Sequence, residues 1–151
     1  MSILLGKAII NYLKRSKDAD IITFTSLGEK DVLPVSYLFR GIDSMPELEI
    51  KALNLAKGSI LDVGAGAGAH SLILQERGLD VVAMDRSPDA VACCRKRGIQ
   101  KVVHSELLKY KGATFDTILM LMNGIGIAGN LSNLKPYLLH LKKLLKPEGQ
   151  I

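Results

Sequence analysis

This sequence of 151 residues has little cysteine, and the two that it has are neighbours, Cys93 and Cys94. Adjacent cysteines rarely bridge each other, and no histidine or acidic residue stands near them at a spacing typical of a zinc site. The shortage argues against a disulfide framework and favours a reducing, cytoplasmic setting. We expect both thiols to be small core residues, and we expect no metal site.

The sequence also lacks a long apolar run. No stretch reaches the roughly 18 apolar residues that cross a bilayer, and the segment TILMLM is interrupted at Asn123-Gly124. The apolar N-terminus contains Lys7 and lacks the basic start and the cleavage site of a signal peptide. We therefore expect neither a membrane span nor a secretory leader.

Strong charge of one sign is absent as well. The formal net charge is +5, and the basic residues occur in short groups such as Arg95-Lys96-Arg97, which falls where we expect a helix to end. Cations suit the negative end of a helix dipole. These groups are interpreted as solvated helix ends rather than as a nucleic-acid surface.

From residue 59 onward the sequence contains an alternation of short apolar segments and helical segments. The pattern predicts strands over 59–63, 80–84, 101–104 and 115–122, and helices over 69–77, from Ser87-Pro88 to just before Gly98, and over 131–145. An earlier helix is predicted to start with Ser44 as its cap and to end near Lys57. Strands that alternate with helices indicate right-handed crossovers and a parallel sheet.

The chain stops at Gln150-Ile151, which resemble the opening of a fifth strand. A parallel strand that has only begun leaves the edge of its neighbour unpaired. We therefore expect a fragment of a longer protein, inactive by itself even if it binds a cofactor. We also expect the exposed fourth strand to promote self-association or to be covered by another segment.

The stretch LDVGAGAG, residues 61–68, joins the first of these strands to a helix. Such a turn lies at the carboxyl end of a parallel sheet, where ligands bind. Gly64 permits a tight turn, while Gly66 and Gly68 remove side chains so that a ligand can touch backbone and the helix can approach the strand. The free N–H groups of the helix N-terminus add to a ligand site.

Two carboxylates distinguish between the possible ligands of this turn. Asp85 ends the next strand, about twenty residues further on, where a carboxylate accepts the hydroxyls of a ribose. Asp62 lies two positions before Gly64, and a pyrophosphate would be repelled by it. An ammonium and a sulfonium would be attracted. The pair therefore favours S-adenosylmethionine over a nicotinamide cofactor.

Four segments in order resemble the motifs of class I S-adenosylmethionine-dependent methyltransferases: LDVGAGAG, VVAMDRSP, FDTILMLMNGIG and LKKLLKPEGQI. The resemblance covers about residues 51–151. It implies an α/β fold, a Rossmann-like parallel sheet of order 3-2-1-4 in the part present, and helices on both faces. It also implies an N-terminal helical lid over residues 1–50, followed by the cofactor-binding half of a methyltransferase domain over residues 51–151.

The resemblance assigns the methionine part of the cofactor to the first motif. The residues concerned are Asp62, Gly64 and Gly66, and the neighbouring Ala65 and Gly68 are also expected to bind the cofactor.

The later motifs are assigned to the rest of the cofactor. Asp85 would take the ribose hydroxyls, and Arg86 would flank the adenine. Glu106 falls near the expected place of the adenine amine, although the family more often has Gly-Asp there. Leu107 would pack on the ring or donate its N–H. Asn123 would lie near the transferable methyl group.

The acceptor is predicted to be a small molecule. Asn123 is followed by Gly-Ile-Gly, whereas amino-methylating members often read Asn-Pro-Pro-Tyr, which argues against a nucleic-acid base. In the N-terminal segment, Arg40 could pair with the cofactor carboxylate and Tyr37 could line the substrate pocket. The alternative is a helix that packs through Tyr37 and Phe39 and leaves Arg40 at the surface.

Three functions remain open from the sequence. The favoured one is S-adenosylmethionine-dependent methyl transfer, which needs no protein nucleophile. The second is an NAD(P)-binding oxidoreductase domain, and the third is a non-catalytic module that binds adenosylmethionine. None of the three histidines, His70, His104 and His140, is assigned as a base.

Overall fold

The computed structural model of the chain describes residues 2–15, 20–24, 27–122 and 124–151. In these ranges, a five-stranded parallel sheet is formed by β3 (Ser59–Val63), β4 (Asp80–Asp85), β5 (Lys101–His104), β6 (Phe115–Leu119) and β7 (Leu145–Gln150). The strand order is β5-β4-β3-β6-β7. Its first four members confirm the predicted order, because β3 is the first strand of the motif-bearing region.

The strand β7 departs from the prediction, which put a turn at residues 146–149 and only the opening of a strand at residue 150. Leu145 already pairs with Phe115, and Gln150 pairs with Thr117, so that a bulge of four residues stands opposite one residue of β6. Lys146 Nζ holds the bulge by donating to Asp116 Oδ2 at 2.8 Å. The first half of β6 is therefore not the open edge that was predicted.

Helices cover both faces of the sheet, as predicted. The helices are α2 (Glu47–Leu55), α3 (Ala69–Glu76), α4 (Pro88–Lys96) and α5 (Leu131–Leu144). Leu61 of β3 packs in a core cluster with Leu141 and Leu144 of α5. Its neighbour Ile60 points to the opposite face and packs with residues of α2 and α3. The alternation of side chains along β3 thus serves two cores.

The helix starts follow local capping chemistry in one case and not in another. Ser87 caps α4 as predicted, because its Oγ accepts the N–H of Ala90 at 3.3 Å and Pro88 occupies the first turn. Ser44 does not cap α2, which was a wrong prediction. Ser44 belongs to a 3₁₀ turn, and the carbonyl of Pro46 instead receives the first helical N–H groups.

No helix in the described ranges is long and apolar enough to cross a membrane.

The N-terminal segment is helical only in part. It contains α1 (Ser2–Arg15), then an antiparallel hairpin of β1 (Asp20–Phe24) and β2 (Lys30–Pro34), and two short 3₁₀ helices. The segment predicted to be a helical lid therefore includes a hairpin, which differs from the expectation. Ile9 and Ile10 of α1 pack against Ala67 of the glycine turn, so α1 lies next to the predicted site.

Candidate functional site

The glycine turn is held against the neighbouring strand by its own backbone. The N–H groups of Gly64 and Ala65 both donate to the carbonyl of Met84, at 2.8 and 3.0 Å. Gly64 has a φ of +76°, which an L side chain rarely adopts, and a Cβ placed on it would meet no atom within 4 Å. The turn therefore exposes backbone to open space at the carboxyl end of β3.

Gly68 serves packing rather than access. It has a φ of +79°, and an added Cβ would lie 2.3 Å from Ile99 Cδ1 and 3.2 Å from Cys94 Sγ. Both of these residues are buried. The start of α3 thus approaches α4 and the loop after it more closely than any side chain would permit.

Asp62 is the penultimate residue of β3 and is buried, with 3% of its surface exposed. One of its carboxylate oxygens accepts the hydroxyl of Ser71 at 2.6 Å. Burial raises the pKa of Asp62, although the nearby His70 ring and the hydrogen bond from Ser71 oppose the rise. A buried carboxylate of this kind has a strong electrostatic preference for a cationic partner.

Asp85 lies at the end of β4 and connects two turns. Its Oδ2 accepts the N–H of Gly66 at 3.0 Å, and its Oδ1 accepts the N–H of Ser87 at 2.8 Å. Each carboxylate oxygen has a second lone pair, so both can still accept a ligand hydroxyl. Asp85 also contributes to the raised pKa of Asp62, because the two negative charges repel each other.

The residues predicted for the adenine end lie at the surface or in the core. Arg86 is exposed, and Glu106 is exposed and forms an ion pair with Lys109 at 3.0 Å. The side chain of Leu107 is 5% exposed and packs in the core cluster that includes Met84. Asn123, predicted near the methyl group, lies outside the described residues.

Arg40 is buried, so the alternative that placed it at the surface is wrong. Its guanidinium forms an ion pair with Glu49, donates to the carbonyl of Tyr37 at 2.7 Å, and lies 4.0 Å from the centre of the Tyr37 ring. A fourth contact joins Arg40 Nη2 to Met122 Sδ at 3.2 Å. Arg40 Nε is buried and has no hydrogen-bond partner among the described residues.

Glu49 and His70 were not predicted to take part in a site. His70 Nε2 lies 2.8 Å from Glu49 Oε2, so this carboxylate joins α2, the first turn of α3 and Arg40. Burial alone would raise the pKa of Glu49, but hydrogen bonds from His70 and Arg40 outweigh it, and the pKa is lowered. The position of His70 directly after the glycine turn was the only sequence signal for this cluster.

Two cavities lie elsewhere on the chain, and neither is lined by a residue of the glycine turn. One, of about 470 Å³, lies between residues 39–43 and α3. Arg40 is the one predicted cofactor-binding residue that lines it. The other, of about 370 Å³, is an apolar groove along the open side of β6. In the described ranges, no three His, Cys, Asp or Glu residues are grouped so that they could hold a metal ion.

Comparison with known proteins agrees with this architecture. Residues 60–149 match a protein family described as a methyltransferase domain. The chain is 31% identical over 107 residues to a demethylmenaquinone methyltransferase of Tropheryma whipplei (strain Twist), a match that covers 67% of this chain and 43% of that protein.

Two solved structures are also similar. A SAM-dependent methyltransferase from Bacteroides fragilis, in complex with S-adenosyl-L-homocysteine, superposes with a TM-score of 0.90 at 44% identity and covers 98% of this chain and 62% of its own. The sugar N-methyltransferase KedS8 from Streptoalloteichus sp ATCC 53650 shares the fold, with a TM-score of 0.57 at 22% identity, and the match covers 66% of this chain and 41% of KedS8. This chain thus spans less than two thirds of the length of these relatives, and it belongs to the methyltransferase-domain family.

Proposed function

We propose that this chain forms the S-adenosylmethionine-binding part of a methyltransferase that acts on a small-molecule acceptor. The observation that supports this most is the pair Asp62 and Asp85, which stand on adjacent strands on either side of an open glycine turn. The similarity to a methyltransferase crystallised with S-adenosyl-L-homocysteine supports the same cofactor. The family match also favours this function over an NAD(P)-dependent oxidoreductase.

The residues present fit the chemical groups of that cofactor. The buried carboxylate of Asp62 suits the ammonium, and the open space in front of Gly64 admits the methionine part against bare backbone. The remaining lone pairs of Asp85 suit the ribose hydroxyls. Arg40 is proposed to bind the cofactor carboxylate through its unpaired Nε, which requires this buried side chain to shift when the ligand enters.

The remaining predicted residues complete the proposal. Arg86, Glu106 and the backbone of Leu107 are proposed to surround the adenine. Asn123 and Tyr37 are proposed to lie on the substrate side.

Methyl transfer is an in-line displacement, and the bound cofactor supplies a methyl group already activated by its sulfonium. The chain contributes alignment and exclusion of water. Asp62 and Asp85 fix the two ends of the ligand, while α1 shields the turn, since Ile9 Cδ1 would lie 3.8 Å from a Cβ on Gly66. No general base is assigned.

The acceptor class and the setting are further parts of the proposal. The relatives act on different small molecules according to their names, a demethylmenaquinone and a sugar, so they support a small acceptor without selecting one.

A reducing cytoplasmic setting is supported by Cys93 and Cys94, which are free and buried. Burial raises the pKa of these thiols to about 11 and about 12, which makes them unreactive.

Equilibrium binding of S-adenosylhomocysteine to two aspartate variants tests the proposal. Asp85→Ala removes the ribose acceptor and should weaken binding by about 1–3 kcal/mol, or roughly 5–150-fold. Asp80→Ala is the matched control, because Asp80 lies at the other end of the same strand and pairs with Lys101 at the surface. The proposal fails if the wild-type chain does not bind, or if both variants bind equally well.

A further inference from the structure

Ser71 stands behind the predicted ammonium partner. It is the third residue of α3 and is fully buried, with 0% of its surface exposed. Its hydroxyl lies 2.6 Å from Asp62 Oδ2, a length typical of a strong charge-assisted hydrogen bond. The same turn of helix that begins at the glycine motif therefore fixes the carboxylate at the end of β3.

This hydrogen bond has two physical effects on Asp62. It holds one carboxylate oxygen, and thereby limits rotation of the whole group. It also favours the ionised form of Asp62, because the donated hydroxyl stabilises the negative charge of the carboxylate. A buried carboxylate that lacks such a donor tends to take up a proton. Both effects are needed if Asp62 is to present a negative charge to an ammonium in a fixed direction.

Three other titratable groups act on Asp62 from the elements around it. His70 on α3 opposes the rise in its pKa, and Asp85 on β4 adds to that rise. Burial raises the pKa of the Cys94 thiol on α4, and the negative charge of Asp62 raises it further, so that the thiol stays neutral. Ser71 differs from all three because it is the one with a hydrogen bond to the carboxylate itself.

We propose that Ser71 is a positioning residue that sets the affinity of the site for the amino-acid end of the cofactor by orienting Asp62 and keeping it ionised. The inference rests on the proposed cofactor and extends it to a residue that makes no ligand contact. The adenosine end is held by Asp85, so Ser71 should not influence it.

Two ligands allow binding at the amino-acid end and binding at the adenosine end to be measured separately. S-adenosylhomocysteine has the ammonium, whereas 5′-deoxy-5′-methylthioadenosine has the same adenosine and thioether without the amino acid. Ser71→Ala should weaken S-adenosylhomocysteine binding at least tenfold near pH 6 and less near pH 8, because the ionised form of Asp62 returns as the pH rises. Binding of methylthioadenosine should change less than about twofold at either pH.

Ser59→Ala is the matched control. Ser59 Oγ donates to Asp116 Oδ2 at 2.7 Å, so this variant breaks a similar serine–aspartate hydrogen bond at the opposite end of β3. It should leave the affinity for both ligands unchanged. Ser71→Cys, which keeps the size and donates only weakly, replaces Ser71→Ala if the latter fails to fold.

The outcomes are distinct. A selective, pH-dependent loss of S-adenosylhomocysteine binding supports the assignment. Equal weakening of both ligands, a loss that does not vary with pH, or no loss in a folded variant overturns it. Failure of the wild-type chain to bind S-adenosylhomocysteine would instead overturn the proposed cofactor.

Discussion

Gly64 and Gly68 share a left-handed backbone but differ in their surroundings, which allows conformational strain and packing to be separated by mutation. Alanine at either position should lose about 1–2 kcal/mol of unfolding free energy from the left-handed conformation. At Gly64 nothing else opposes the new Cβ, whereas at Gly68 it would lie 2.3 Å from Ile99 Cδ1. Overpacking of a buried site adds about 1–3 kcal/mol. Gly68→Ala should therefore lose about 2–5 kcal/mol in total.

The clash at Gly68 can be relieved at its source. Ile99→Val removes Cδ1 alone and should by itself lose about 1 kcal/mol. In the double variant the added Cβ loses its shortest contact and keeps only the tight one with Cys94 Sγ at 3.2 Å, so the combined loss should be smaller than the sum of the single losses by at least about 1 kcal/mol. Gly64→Ala combined with Ile99→Val is the control, and there the losses should add.

Urea denaturation of the five variants measures these free energies of unfolding. Titration with S-adenosylhomocysteine measures the role of the glycine turn in ligand binding. Gly64→Ala should fold well and yet bind poorly, since its Cβ projects into the space assigned to the ligand. The reasoning is refuted if Gly68→Ala is no less stable than Gly64→Ala, or if Ile99→Val brings no recovery.

Three further predictions follow from the buried charges and the open strand edge. Glu49→Gln should lose about 3 kcal/mol of unfolding free energy in urea denaturation, because it leaves the buried Arg40 guanidinium without its counter-charge. The control is Glu47→Gln at an exposed position of the same helix, which should change the unfolding free energy by less than about 0.5 kcal/mol. Similar losses in both variants would contradict the account. Asp62→Asn should raise the unfolding free energy at pH 7, because the folded-state pKa of Asp62 is raised and the wild-type carboxyl therefore opposes folding increasingly as the pH rises above the ordinary aspartate pKa. The gain should disappear in denaturation experiments as the pH falls below the ordinary aspartate pKa, and a gain that persists in acid would be contrary evidence. Self-association is expected along β6 after Thr117, where the described chain offers no further pairing with β7 and an apolar groove follows. In sedimentation experiments Leu121→Glu, which places a charge in that groove, should weaken the self-association. A strictly monomeric wild type would refute this prediction.

The features that were predictable from the sequence depend on neighbouring residues. The glycine turn, its acidic residue and the Ser87 cap are each defined within a few positions, and the backbone there follows local chemistry. The strand order was also predictable, but only through the resemblance of several motifs in succession. The start of α2 shows the limit even of local patterns, because Pro46 displaced the expected cap at Ser44.

The features that were missed depend on residues far apart in the chain. The bulge of β7 is held by Lys146 and Asp116, which are 30 positions apart. Glu49 binds partners nine and 21 positions away, and no periodicity of α2 marks it as buried. The role of Ser71 likewise depends on the angle at which α3 returns toward β3, and sequence spacing does not specify that angle.

Calorimetric titration of this chain with S-adenosylhomocysteine and, in parallel, with NADH tests the central claim most directly. Asp62 and the open turn at Gly64 predict micromolar binding of S-adenosylhomocysteine and none of NADH, since the buried carboxylate attracts an ammonium and repels a pyrophosphate. Binding of NADH alone would contradict the account, and so would the absence of binding by either ligand.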